Sequence, residues 1–145
     1  KLIQKDTAIL QFKDGIRDTS VSKTALQNKL YAATFVLGLP YTLDTDSSVK
    51  TYLGITDFQG TPAHELKVTF QDGTDTWYLY YDESTLDWLG YWVQTSDHYS
   101  LVINEEMINE KGFTLSRKRK SYRTDAQKNR LYLRADYEYS NYLIQ

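Results

Sequence analysis

From Tyr52 onward, turn-forming clusters punctuate the chain at Gln59-Gly60, Asp72-Gly73, Asp82 to Thr85, Thr95 to Asp97, Asn109 to Gly112 and Asp125 to Asn129. A spacing of roughly ten to sixteen residues between turns describes an antiparallel meander. The runs between the turns alternate. Leu66, Val68 and Phe70 share one strand face, Trp77, Leu79 and Tyr81 another, and Leu131, Leu133, Ala135, Tyr137 and Tyr139 a third. Each strand therefore has one side fit for a core. Tyr78 and Tyr80 back the Trp77 face, and Trp88 and Trp92 oppose Leu89, Tyr91 and Val93, so these central strands are expected to be covered on both faces.

Before this meander, residues 2–12 are compatible with strand and stop at Asp14-Gly15, a dipeptide that accepts the positive φ of a tight turn and implies a first hairpin. One helix is predicted, over Lys23 to Leu37. Leu26, Leu30, Ala33 and Leu37 recur at helical spacing, and Tyr31 and Phe35 widen the apolar stripe. Ser22 is placed to cap its start, Gly38 to take a left-handed closing position, and Pro40 to forbid continuation. A helix of about fifteen residues covers only part of one face of a large sheet. The expected fold class is mainly β (α+β): an open, curved antiparallel sheet, or half-barrel, with one principal helix on its concave face. Nothing in residues 1–145 marks a linker, so a single domain is expected, and the opening at Lys1 reads as a chain lacking its native N-terminal segment.

Composition removes several chemistries. With no Cys and two distant His, thiol nucleophiles, disulfides and thiolate zinc sites are excluded, and no metal site or cofactor is expected. The longest apolar stretch, Phe35 to Leu39, is far shorter than the roughly 20 residues of a membrane helix, so no transmembrane span is expected. Phosphate-cradling loops, dinucleotide fingerprints and nucleophile elbows are missing. His64 and His98 lack a catalytic motif, and the neighbouring carboxylates Glu105 and Glu106, or Asp82 and Glu83, read as solvated turn or strand-end charge. An enzyme is not expected.

The runs FVLGLPYTL (Phe35 to Leu43), TYLGITDFQGTPAHELKVTF (Thr51 to Phe70) and DTWYLYYDESTLDWLGYWVQ (Asp75 to Gln94) resemble an uncharacterised group of Gram-negative envelope proteins similar to the lipoprotein-carrier, or LolA-like, superfamily. That resemblance implies an open half-barrel wrapping helices, a periplasmic or outer-membrane-associated location, and the holding of acyl chains or other apolar ligands between sheet and helix.

Two constellations are candidate sites. Trp88 and Trp92, four apart in a strand, are expected to project from one face about 13 Å apart. With Trp77, and facing Phe35 and Leu37 of the helix, they would line an apolar pocket, or fill the gap as solid core. The second constellation is electrostatic. The net charge of -2 is the sum of +7 between Arg117 and Arg134 and -9 elsewhere, which predicts a dipolar molecule. Arg117, Lys118, Arg119 and Lys120 are the candidate anion or partner patch. Alternation sends Arg117 and Arg119 to one face and Lys118 and Lys120 to the other, which argues against nucleic acid; Asp136 and Glu138 are available as cross-strand partners. The expected function is thus a non-enzymatic envelope protein that binds an acyl chain or other apolar small molecule. The alternative is a protein-interaction or structural module with a solid core and a charged hairpin that docks an envelope partner.

Overall fold

The computed structural model describes residues 2–5, 8–71, 73 and 75–142. Its contacts divide the chain into two compact units, Lys1–Thr42 and Leu43–Gln145. Asp6 and Thr7 of the expected first strand, and Asp72 of the expected Asp72-Gly73 turn, lie outside the described residues.

In the first unit, β1 (Leu2–Lys5), β2 (Ala8–Lys13) and β3 (Ile16–Asp18) form a three-stranded antiparallel sheet in that order, followed by α1 (Lys23–Leu37). Asp14 (φ 51°) and Gly15 (φ 79°) make the predicted tight turn between β2 and β3. Ser22 caps the helix as predicted, its Oγ accepting from the Ala25 N–H at 3.2 Å. Gly38 does not take the left-handed conformation expected of it: φ is -80°. Its lack of a side chain serves packing instead, because a Cβ there would lie 2.6 Å from Thr42 Cγ2. The helix runs along β2, and Lys29 Nζ donates to Gln11 Oε1 at 2.8 Å. The predicted apolar stripe is only partly used. Leu26 is buried, whereas Tyr31 and Ala33 are exposed.

The second unit is a seven-stranded antiparallel meander. Its strands are β4 (Ser48–Phe58), β5 (Thr61–Phe70), β6 (Thr76–Asp82), β7 (Trp88–Gln94), β8 (Tyr99–Glu110), β9 (Phe113–Thr124) and β10 (Arg130–Glu138). They hydrogen-bond in sequence order, with β4 and β10 as the two edges. The protein is thus mainly β, with one α-helix among the described residues and an open antiparallel sheet, as the turn spacing predicts. The sheet curls. Lys128, in the turn between β9 and β10, reaches Glu65 on β5 at 2.9 Å, and Arg130 on β10 reaches Gln59 in the β4–β5 turn.

The core follows the alternation of the central strands. Leu79, Tyr80, Tyr91, Trp92, Val93, Leu101 and Val102 are each at most 5% exposed, so β6, β7 and β8 are buried on both faces. One buried cluster unites Phe58, Ala63, Tyr80, Trp92 and Leu101. Phe58 stacks on Tyr80 with ring centroids 4.3 Å apart. Irregularities fall at specific places. On β7, Leu89 is an extra residue between the pairs Tyr80–Gly90 and Tyr81–Trp88. Both edge strands are also bulged, at Leu53 of β4 and at Leu131 and Arg134 of β10.

Candidate functional site

The bulge at Leu89 overturns the expected placement of the tryptophans. An extra residue reverses which face the following side chains occupy, so Trp88 and Trp92 lie on opposite faces rather than one. Trp88 stacks on Tyr91 at 6.2 Å, and Trp77 meets the same Tyr91 at 5.3 Å. Trp92 stacks on Tyr99 and meets Tyr78 edge-on, both at 5.3 Å. All three indoles are at most 7% exposed. Trp88 Nε1 donates to the Gly90 carbonyl and Trp92 Nε1 to Thr124 Oγ1, each at 2.9 Å. Their polar handles are spent within the second unit. Phe35 and Leu37 are half-buried on α1 in the first unit, where Phe35 meets Tyr31 at 6.1 Å.

The first unit carries an open groove of about 420 Å³. Ile9, Leu10, Val21 and Leu26 are its apolar lining, and Arg17 and Lys23 line it as well. Asp18 also lines it, its carboxylate taken up by the Ser20 hydroxyl and N–H and by Gln11 Nε2 at 2.8 Å, which hold it below the usual carboxylate range.

Four cations of the basic segment, Arg117, Lys118, Lys120 and Lys128, are paired with carboxylates. Bulges at Glu105 and Arg117 shift the pairing of β8 and β9, so Arg117 does not share a face with Arg119 as strict alternation requires. Arg117 instead joins Lys118 at Glu106, at 2.6 and 3.6 Å. Lys120 bonds Glu105 at 2.6 Å, and that carboxylate raises the lysine's pKa. Of the expected cross-strand acids, Glu138 approaches Lys118 at 3.9 Å; Asp136 stands opposite Lys120 in register, but Glu105 takes the lysine's hydrogen bond. Arg119 is 1% exposed and so cannot belong to a surface patch. Its guanidinium donates to the Tyr139 hydroxyl and lies over the rings of Tyr137 and Tyr139, at 5.4 and 4.8 Å. The four-residue cationic patch is therefore one buried arginine and three cations tied to carboxylates.

The histidines and carboxylates have structural partners. His64 Nδ1 meets the Tyr52 hydroxyl at 2.9 Å. Arg134 donates to His98 Nε2 at 3.0 Å, which places the proton of a neutral ring on Nδ1, beside Asp97 Oδ1 at 2.7 Å and Thr95 Oγ1 at 2.8 Å. Asp82 accepts the backbone N–H groups of Ser84 and Thr85, which lower its pKa. No group of three His, Asp or Glu placed to hold a metal occurs among the described residues. No helix among them is long and apolar enough to cross a membrane.

Two features escape the sequence reading. Leu131, Tyr132 and Leu133 are 60%, 60% and 51% exposed on the edge strand β10, where alternation placed Leu131 and Leu133 in the core. The reason is that neither face of this edge strand is covered: every residue of β10 except the half-buried Ala135 is exposed. Lys128 is the second. It reads as turn charge, yet its ammonium stands among Tyr78, Tyr80, Trp92 and Glu65, residues 36 to 63 positions distant that only strand pairing brings together.

No protein-family model, curated protein or solved structure matches this chain, so the lipoprotein-carrier resemblance rests on the sequence runs alone.

Proposed function

We propose that this protein is a non-enzymatic protein-interaction module, in which a solid sheet presents the outer strand of the β9–β10 hairpin to a partner. The carrying observation is the run Leu131, Tyr132 and Leu133, three consecutive large apolar side chains left more than half exposed on an edge strand. Tyr132 and Leu133 pair with successive residues of β9 and so project to opposite faces, which leaves both faces of this edge strand apolar and open, and an exposed apolar edge strand is a ready pairing site for a partner. The hairpin's charges contribute less, because Arg117, Lys118 and Lys120 are already paired. A photo-crosslinking side chain placed at Leu133 in the native cell should give a discrete protein adduct, removed by Leu131→Glu. The same probe at the exposed turn residue Glu83 should give none. No adduct at Leu133, or equal labelling at both positions, rejects the reading.

A second reading, binding of an apolar ligand bearing an acidic headgroup, is favoured by the groove of the first unit. Ile9, Leu10, Val21 and Leu26 would meet the chain, and Arg17 and Lys23 the headgroup. Fluorescent fatty-acid displacement tests it, and a lack of saturable displacement sinks it.

A further inference from the structure

The face that carries Trp92 holds a built site for a cation. Glu65, Tyr80 and Gly90 are cross-strand neighbours on β5, β6 and β7, as are Tyr78 and Trp92 on the latter two, so these side chains lie on one face. Into this group projects the ammonium of Lys128. Nζ lies 4.9 Å from the centroid of Tyr78 and 5.4 Å from those of Tyr80 and Trp92. It donates to Glu65 Oε1 at 2.9 Å and to the Tyr80 oxygen at 2.7 Å, while the Tyr80 O–H donates to Glu65 Oε1 at 2.8 Å. Three electron-rich ring faces with a carboxylate attract an ammonium both through the ring quadrupoles and by direct charge.

With Lys128 in place, the site is largely shielded from water. Tyr80 and Trp92 are 2% and 4% exposed and the Glu65 side chain 14%, so rings and carboxylate are held in place and largely dry. The Lys128 side chain is 42% exposed and comes from a turn, with a backbone φ of 66°. It enters from the surface and does not hold the strands together by its own backbone. Two of its N–H groups are used as donors, a pattern that a primary ammonium satisfies and a quaternary ammonium, with no N–H, cannot.

We propose that Glu65, Tyr78, Tyr80 and Trp92 form a binding site for a primary alkylammonium group, with Lys128 as its built-in, displaceable occupant. The ligand class is a lysine-like side chain or a small alkylamine. This inference stands apart from the interaction surface on β10, since neither site shares a residue with the other.

The test vacates the site. Lys128→Gly removes the side chain and suits the left-handed backbone at that position; Lys128→Asn, which also tolerates positive φ, serves if the glycine variant does not fold. n-Butylammonium is titrated while the Trp92 indole and backbone amide resonances are followed. Saturable binding by the vacated variant is expected, weakened at least tenfold in the wild-type chain, in the same variant carrying Glu65→Gln, and for tetramethylammonium. A folded, vacated variant that does not bind n-butylammonium overturns the proposal. So does binding that is equal in the wild-type chain, indifferent to Glu65→Gln, or as tight for tetramethylammonium.

Discussion

At the scale of single residues, Gly90 decides how the aromatic core is arranged. It follows the extra residue Leu89 on β7, takes a φ of 152°, and lies so close to β8 that a Cβ would stand 2.1 Å from the Val102 carbonyl oxygen. A backbone oxygen held in a sheet ladder cannot swing aside as a flexible side chain does. Phe58 Cζ, at 3.0 Å from the same point, closes the other direction. Gly90→Ala is therefore expected to cost about 3 kcal/mol, combining backbone strain with overpacking. Gly54 supplies the control. It too has a positive φ, 103°, but a Cβ there would meet nothing within 4 Å. Gly54→Ala should cost only about 1 kcal/mol, the price of the backbone conformation alone. Urea unfolding of both variants checks the difference, and equal losses would show that the close approach of β7 to β8 is not what Gly90 serves.

At the scale of elements, the edge strand β10 behaves differently from the strands it resembles in sequence. Its alternating Leu131, Leu133 and Ala135 look like the core face of β6, yet both faces of this edge strand stay open, and only Ala135 is even half-buried. Leu131→Glu and Leu133→Glu are accordingly expected to change stability by no more than about 0.5 kcal/mol, as exposed positions do. Leu101→Ala, on a strand of the same meander but 2% exposed, should cost about 2–5 kcal/mol. Chemical denaturation of the three variants tests this, and a large loss from either edge substitution would return β10 to the core. The contrast also shows why some of the fold is legible in the chain and some is not. Turns such as Gln59-Gly60 and Asn109 to Gly112 announce themselves because their backbone conformations demand particular residues locally. The start of α1 follows from Ser22 for the same kind of local reason, whereas Gly38 at its end serves close packing against Thr42. Bulges are marked unevenly: a glycine directly follows Leu89 and Leu53, whereas Glu105, Arg117 and Leu131 have neighbours of ordinary type and leave no compositional mark. Strict alternation misplaces Trp88 relative to Trp92, and Arg117 relative to Arg119, because it carries an error forward to every residue beyond a bulge. The contact of Lys128 with Glu65 depends on strand order and curl together, which no local pattern encodes.

Across the whole molecule, part of the charge separation of the sequence is offset by pairing: four carboxylates meet cations of the +7 segment, which leaves +3. The +7 segment draws its counter-charges from outside itself: Glu105 and Glu106 from β8, Glu65 from β5 and Glu138 from the end of β10. The exposed pairs at Glu105, Glu106 and Glu138 contribute little each, about 0–1 kcal/mol, so they shape the electrostatic field more than they hold the fold. Stability instead concentrates where apolar burial does. The second unit buries both faces of β6, β7 and β8, whereas β4 and β10 have large apolar side chains in solvent, and β3 in the first unit is a three-residue strand with Ile16 74% exposed. Amide exchange should follow this gradient, because opening a segment costs roughly the burial it gives up. Hydrogen-bonded amides of Trp77 to Tyr81, Tyr91 to Val93 and Leu101 to Ile103 are expected to exchange slowest. Those of β2 and β3, and of the outer half of β10, should exchange at least about 100-fold faster, the equivalent of roughly 2.7 kcal/mol in opening free energy. Hydrogen exchange followed by NMR measures this directly, and uniform protection across both units and both edges would show that the chain opens as one cooperative body instead.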